Sequence, residues 1–137
     1  MTKIDDNTRL LHMNDAAKEA LFFIEGKTRK SLDKERMLVL SLIRLVEVIG
    51  EAASRVSLNK QKQIYEIPWP QVISMKNRLI HNYYEVDLDI LWKTVIEDIP
   101  SLVAILDKYL NPDSALQKVA LNTTSLGLII KYNCLSS

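Results

Sequence analysis

The chain has 137 residues, of which 47% are hydrophobic and 26% are charged. That length is enough for one hydrophobic core but too short for two domains with separate cores. The apolar content predicts a packed globular domain instead of a disordered chain. The formal net charge of +1 excludes a broad basic surface for nucleic acid, so any such site must be a local patch.

Two amphipathic helices are predicted in the first half of the chain. The first extends from about Thr8 to Glu25, because apolar residues recur there every three or four positions and Gly26 supplies a left-handed stop. Ser31 is the predicted N-cap of a second, longer helix. The apolar residues of this helix cover two sides, which indicates a helix central to a bundle or shared with another subunit. They are Leu38, Val39, Leu42, Ile43, Leu45, Val46, Ile49, Ala52 and Val56.

Two more helices are predicted after the Pro68-Trp69-Pro70 interruption. The second of these prolines suits the first turn of a third helix, where its missing N–H costs nothing. We expect this helix to continue through residues 72–84, whose apolar side chains form two adjacent rows. Asp87 is the predicted N-cap of a fourth helix, which Pro100 should kink and Asn111-Pro112 should end.

Together these elements predict one all-α, up-and-down bundle of four to five helices over residues 1–112. Residues 113–137 have no clear period and are predicted to be a C-terminal tail, either a short helix or partly disordered. Cys134 is the only cysteine, so no internal disulfide and no cysteine cluster for a metal are expected. The first residues do not resemble a signal peptide and no stretch has the apolar length of a membrane span, which favours a cytoplasmic setting.

The most informative segment is Lys-Asn-Arg-Leu-Ile-His-Asn-Tyr at positions 76–83. On a continuous helix Asn77 and His81 would share a face, with Lys76 and Tyr83 in the adjacent row, so all four could border one cleft. Cations can hold a phosphate and an imidazole can move a proton near neutral pH, which suits phosphodiester chemistry. The residue types alone nevertheless favour a structural interpretation, namely a core histidine, a core aromatic and a solvated lysine.

Other polar groups are interpreted as structural. Glu47 and Glu51 could be paired catalytic carboxylates, but Arg44 and Arg55 share their stripe. That arrangement favours helix-surface ion pairs worth about half a kcal/mol each. The acidic residues at 85, 87 and 89 fit a solvated turn and a helix cap better than a metal site.

Residues 76–92 resemble the signature of HepT-type toxins of the HEPN superfamily. In that signature an arginine is followed five positions later by a histidine and, two positions beyond, by a tyrosine. Lys76, His81 and Tyr83 occupy these positions here. The segments 66–69 and 44–52 also resemble the family, and the similarity covers about residues 8 to 110.

The resemblance implies a homodimeric, HEPN-like helical bundle that acts as a metal-independent, RNA-cleaving toxin. His81 would be the acid/base group, Lys76 would stabilise charge on the scissile phosphate, and Asn77 would position the phosphate or the imidazole. An attacking ribose 2′-hydroxyl would need neither metal nor cofactor. Family sites are composite, formed where two copies of this helix meet at a dimer two-fold, which doubles a local positive patch. Arg78 is a further candidate RNA contact.

The resemblance also implies a protein partner. The cognate antitoxin of such toxins is a minimal nucleotidyltransferase, of the MNT type, that transfers AMP onto the tyrosine of the signature, here Tyr83. A bulky anion beside a phosphate site would repel RNA and block cleavage.

One residue departs from the signature. Lys76 replaces the arginine, and lysine keeps the positive charge but lacks the planar fork that grips two phosphate oxygens. Arg78, two residues further on, is not an obvious replacement. We therefore expect weaker phosphate binding, and a non-catalytic HEPN-like module that binds a nucleotide or a partner is the alternative function. A third interpretation, a purely structural dimer subunit, predicts a buried Tyr83.

Overall fold

A computed structural model describes residues 4–82 and 84–111. In chain order its elements are α1 (Asp6–Phe23), α2 (Ser31–Lys34), α3 (Arg36–Ser54), α4 (Leu58–Gln63), α5 (Trp69–Ile73), α6 (Met75–Leu79), β1 (Ile80–His81), β2 (Glu85–Val86), α7 (Leu88–Lys93), a π-helical turn (Thr94–Asp98) and α8 (Ile99–Leu110). The predicted all-α class is confirmed.

Over the described ranges no helix is both long and apolar enough to cross a membrane. The predicted tail, 113–137, lies outside the described residues, so the division of the chain at residue 112 stays a prediction.

The first predicted helix is confirmed, with slightly earlier bounds. α1 begins at Asp6 because the carboxylate of Asp5 accepts a hydrogen bond from the Thr8 N–H at 2.7 Å. The same bond lowers the pKa of Asp5. Gly26 follows with φ of 73°, the left-handed conformation expected of it.

The second predicted helix is divided in two, and Ser31 is not the N-cap of the long one. Ser31 begins the four-residue α2, and its hydroxyl accepts a hydrogen bond from the Thr28 N–H at 3.0 Å in the preceding turn. Glu35, at φ −115° and ψ 85°, interrupts the helical backbone, so α3 starts only at Arg36. The side chain of Glu35 is held by Lys27 at 2.8 Å.

α3 is the central helix of the bundle, as its two apolar sides predicted. Leu42, Val46 and Ile49 are fully buried, and α3 packs on α1 along one side and on α5 and α6 along another. Gly50 lies where α5 approaches most closely, since a Cβ there would be 3.1 Å from the carbonyl oxygen of Ile73. The absence of a side chain at this position lets α5, which leads into the signature segment, pack tightly on α3.

The prediction of the third helix is wrong beyond Leu79. Pro70 occupies its first turn as expected, but the helix breaks at Ser74 and ends at Leu79. The chain then reverses in a short antiparallel hairpin, with Ile80 opposite Val86 and His81 opposite Glu85. Asn82 has φ of 60°, a left-handed conformation that asparagine tolerates and that ends a helix.

The fourth predicted helix begins where expected. The Asp87 carboxylate accepts a hydrogen bond from the Ile90 N–H at 3.0 Å and caps α7. The predicted effect of Pro100 takes the form of a π-helical turn, in which the Ile99 N–H donates to the carbonyl of Thr94, five residues back. Pro100 thereby falls in the first turn of α8, where a missing N–H disrupts little.

Candidate active site

His81 lies on the exposed side of the hairpin. Its side chain is 60% exposed, and its Nε2 is 3.7 Å from Oδ2 of Asp87. The other oxygen of the same carboxylate, Oδ1, caps α7. One carboxylate therefore faces the imidazole and caps the next helix, and the interpretation of His81 as a core histidine is wrong.

Lys76 lies in α6 and points towards α3. Its Nζ is 3.2 Å from Oε2 of Glu47, while Arg44 Nη1 is 2.8 Å from Oε1 of the same carboxylate. The hydrogen bond from Lys76, more than its charge or that of Arg44, lowers the pKa of Glu47. Two cations thus share one anion, so these three side chains together keep an excess of one positive charge.

Asn77 and Arg78 follow Lys76 in α6, and both are exposed. Among the described residues the Asn77 side chain has no hydrogen bond, so its amide is available to a ligand. Arg78 donates a long hydrogen bond of 3.4 Å from Nη2 to the Gln71 carbonyl and borders a cavity of about 200 Å³ against α8. Lys76 and Arg78 therefore contact different elements of the bundle.

The structure changes how the predicted residues are brought together. Asn77 and His81 were expected to share a helical face, and this is wrong because the helix ends at Leu79 between them. His81 is instead carried by the hairpin, next along the chain from α6. Tyr83 lies outside the described residues. Within ranges 4–82 and 84–111, no group of three or more histidine, cysteine or acidic side chains could hold a metal ion.

Two carboxylates, Glu47 and Asp87, contact the candidate site residues in a way that the sequence does not predict. Asp87 was predicted only as a helix cap, and its contact with His81 follows from the chain reversal that brings residues 81 and 87 together. Glu47 was predicted as an ion-pair partner of Arg44, which is confirmed, and its second partner Lys76 was not foreseen. The predicted ion pair between Glu51 and Arg55 is also confirmed, at 2.8 Å.

Comparison with known proteins identifies relatives that match this chain over most of their own length. The family model described as "Ribonuclease HepT-like" matches residues 13–109. The chain is 38% identical over 101 residues to "Probable ribonuclease HepT" of Thermococcus cleftensis, which covers 71% of this chain and 91% of that protein. It is 28% identical over 102 residues to "Putative RNase MJ1380" of Methanocaldococcus jannaschii, covering 74% of this chain and 94% of the relative. No solved structure matches the chain significantly.

A helical bundle with this signature segment defines a protein of the HEPN-like class. The matched family is more specific, and the chain belongs to the HepT-like ribonucleases. At the level of the family the activity is therefore that of a ribonuclease.

The shared carboxylate of Glu47 gives a testable pH dependence. Because its folded pKa lies below the ordinary 4.5, the ionised group stabilises the fold fully above about that pH and loses its effect as pH falls through the lowered pKa. Glu47→Gln should therefore lower the free energy of unfolding at pH 7 by about 0.5 to 1 kcal/mol, a small value because both partners are partly exposed. Urea unfolding at a series of pH values would measure this.

The difference between wild type and Glu47→Gln should shrink towards zero in acid, where both side chains are neutral. Glu97→Gln, at an exposed glutamate of the π-helical turn, is the matched control and should change stability little at any pH. A constant difference between wild type and Glu47→Gln from neutral to acid pH would contradict the assignment.

Proposed function

We propose that this chain is a metal-independent endoribonuclease toxin of a type II toxin–antitoxin system, active in the cytoplasm. The observation that carries the proposal is the exposed imidazole of His81, which faces the Asp87 carboxylate and lies beside a helix that supplies a cation and an amide. A histidine with only a packing role would not be expected to be 60% exposed with a carboxylate facing it. The ribonuclease names of the relatives support the same reaction.

The proposed chemistry is attack of a ribose 2′-hydroxyl on the adjacent phosphate. One imidazole accepts the hydroxyl proton, the new P–O2′ bond forms, and the P–O5′ bond breaks as a second imidazolium protonates the leaving oxygen. The products are a 2′,3′-cyclic phosphate and a 5′-hydroxyl. Lys76 offsets the charge that develops on the phosphate, Asn77 positions it, and Arg78 is a further RNA contact.

A homodimer would supply the second imidazole. In such a pair His81 of each subunit faces the same strand, and the excess cation at Glu47 occurs twice. Pairing would thus provide the local positive charge that a chain of net charge +1 otherwise lacks.

Regulation by AMP transfer is part of the proposal. An MNT-type nucleotidyltransferase antitoxin would modify Tyr83, which follows His81 by two residues in the sequence. The added phosphate would place negative charge next to the phosphate-binding groups and so repel RNA.

One observation favours a second candidate function, a non-catalytic HEPN-like module that binds a nucleotide or a partner. Lys76 is engaged by Glu47 at 3.2 Å, and a single ammonium group held there cannot grip two phosphate oxygens. On this alternative the segment still binds an anion, but cleavage has been lost.

His81→Ala tests the catalytic assignment. Purified wild type should cleave single-stranded RNA equally with and without a chelator, and His81→Ala should lower the rate at least about 100-fold, the usual contribution of an acid/base group. His12→Ala, at the exposed histidine of α1, is the matched control and should leave the rate unchanged. Undiminished cleavage by His81→Ala, or loss of cleavage in the chelator, would contradict the proposal.

Lys76→Arg separates the two candidate functions. If the lysine limits phosphate binding, the arginine fork should raise the cleavage rate by roughly tenfold, because one further charge-assisted hydrogen bond is worth about 1.4 kcal/mol or more. Cleavage rates of Lys76→Arg and Lys76→Gln measured side by side would show it. A rate for Lys76→Arg equal to or below that of wild type would contradict the expectation that lysine, in place of the signature arginine, weakens phosphate binding.

Tyr83 is tested by intact mass. After incubation with the antitoxin and ATP, wild type should gain the mass of AMP, and Tyr83→Phe should not. Tyr84→Phe removes the neighbouring phenol and should be modified as wild type is. Addition of AMP to Tyr83→Phe, or no addition to wild type, would contradict the assignment of Tyr83 as the modified residue.

A further inference from the structure

A second groove lies on the other side of the hairpin from His81. It has a volume of about 320 Å³, within the range of roughly 300–1,000 Å³ that is usual for small-ligand sites. Its floor is apolar, formed in part by the buried Leu32 and Val39, and its rim carries Lys34, Arg36 and Tyr84. None of the three rim residues Lys34, Arg36 and Tyr84 has a role in the core or in the proposed reaction.

The two rim cations, Lys34 and Arg36, differ from Lys76 and Arg44 in having no ion-pair partner among the described residues. Lys76 and Arg44 are both engaged by Glu47, whereas among the described residues neither Lys34 nor Arg36 has an ion pair or a side-chain hydrogen bond. Both side chains are exposed. They therefore offer two uncompensated positive charges to an anionic ligand.

The acidic residue of the rim, Asp33, shares its cation with a second carboxylate. Asp33 Oδ1 is 3.1 Å from Arg29 Nη1, and the Nε of the same guanidinium is 2.6 Å from Asp89. One guanidinium thus serves two carboxylates, and the three side chains leave one negative charge over beside the two rim cations. Lys34, Arg36 and Arg29 against Asp33 and Asp89 still leave an excess of one positive charge at the groove, in a chain that is nearly neutral overall.

Tyr84 gives the rim an aromatic face. Tyr84 is 71% exposed and borders the groove, so much of its surface is open to solvent there. Base stacking on such rings is tolerant of sequence, and phosphate binding by cations is independent of it. An aromatic ring beside two cations is therefore the combination by which proteins bind a single-stranded nucleic acid.

The hairpin fixes how this groove relates to His81. Directly paired strand residues project to the same face, so Ile80 and Val86 share the groove face while His81 and Glu85 share the opposite one. Each strand is only two residues long, so a strand of RNA can cross the hairpin near its turn and contact both faces. Tyr84 lies at this crossing, one residue from Glu85, which pairs with His81.

We propose that this groove is a subsite for nucleotides that flank the cleaved bond, with a base stacked on Tyr84 and phosphates bound by Lys34 and Arg36. The inference rests on the proposed ribonuclease function and adds where the protein holds its single-stranded RNA, namely on both sides of the hairpin. The subsite supplies affinity and strand direction, while the bond is broken at His81.

Binding of a short, fluorescently labelled RNA whose 2′-hydroxyls are all methylated tests the groove without cleavage. Fluorescence anisotropy of the full chain should give a Kd about tenfold higher for the double variant Lys34→Gln, Arg36→Gln at low salt. The slope of log affinity against log salt should fall by about 1.4, since each phosphate contact with a single strand contributes about 0.7. Tyr84→Leu should raise the Kd by roughly tenfold, and Tyr84→Phe, which keeps the stacking face, should not.

The matched charge control is the double variant Lys60→Gln, Lys62→Gln in α4, which removes two unpaired cations away from the groove. Equal effects of the two double variants, or a Tyr84→Leu variant that binds as wild type does, would overturn the subsite. Loss of antitoxin binding with unchanged RNA binding would also overturn it and indicate a protein-binding groove. Wild-type binding without any RNA cleavage would contradict the proposed function and leave the subsite standing if the groove variants weaken binding.

Discussion

The site depends on the reversal of the chain between Leu79 and Asp87. The Asp87 N–H donates to the Leu79 carbonyl at 2.8 Å, which closes the hairpin at the point where α6 ends. If α6 continued instead, His81 would project from a packed helix and Asp87 would lie about two turns away along it. The reversal exposes the imidazole, faces it with a carboxylate and lets the same carboxylate cap α7. Local backbone geometry therefore links the end of one helix, the start of the next and the reactive group.

A second part of the candidate site is the ion-pair cluster around Glu47 on α3. Glu47 binds both Lys76 and Arg44, so the cation of the signature is held in place while the local charge remains positive. A nearly neutral chain can thus concentrate positive charge at a few points, at Glu47 and in the groove beside Tyr84, without a basic surface. Lysine at position 76 fits this geometry as a point charge, so under the proposed function its replacement of arginine is expected to alter the cleavage rate more than the fold.

Much of the fold could be predicted from residue periodicity and caps, because α1, α3 and α8 bury long apolar stripes and Gly26, Pro70 and Asp87 have strong local preferences. The errors fall where a tertiary or local bond outweighs the helical pattern, at Glu35 and after Leu79. Residues 80–86 continue the apolar rows of a helix, and only the left-handed Asn82 and the Asp87–Leu79 bond show that they form a hairpin. Contacts distant in sequence, such as Lys76 with Glu47, had no signal in a single chain.

The family relationship and the exposed His81 agree on a ribonuclease, and the central claim for this chain is cleavage through the neighbouring 2′-hydroxyl. The chemical ends of the RNA fragments test that claim most directly. Mass spectrometry of fragments from an RNA of known sequence should find 2′,3′-cyclic phosphates paired with 5′-hydroxyls, and an RNA with one 2′-deoxy sugar should be uncut at that position. Fragments with 5′-phosphates and 3′-hydroxyls, or cutting at the 2′-deoxy position, would show that water is the attacking group and contradict the account.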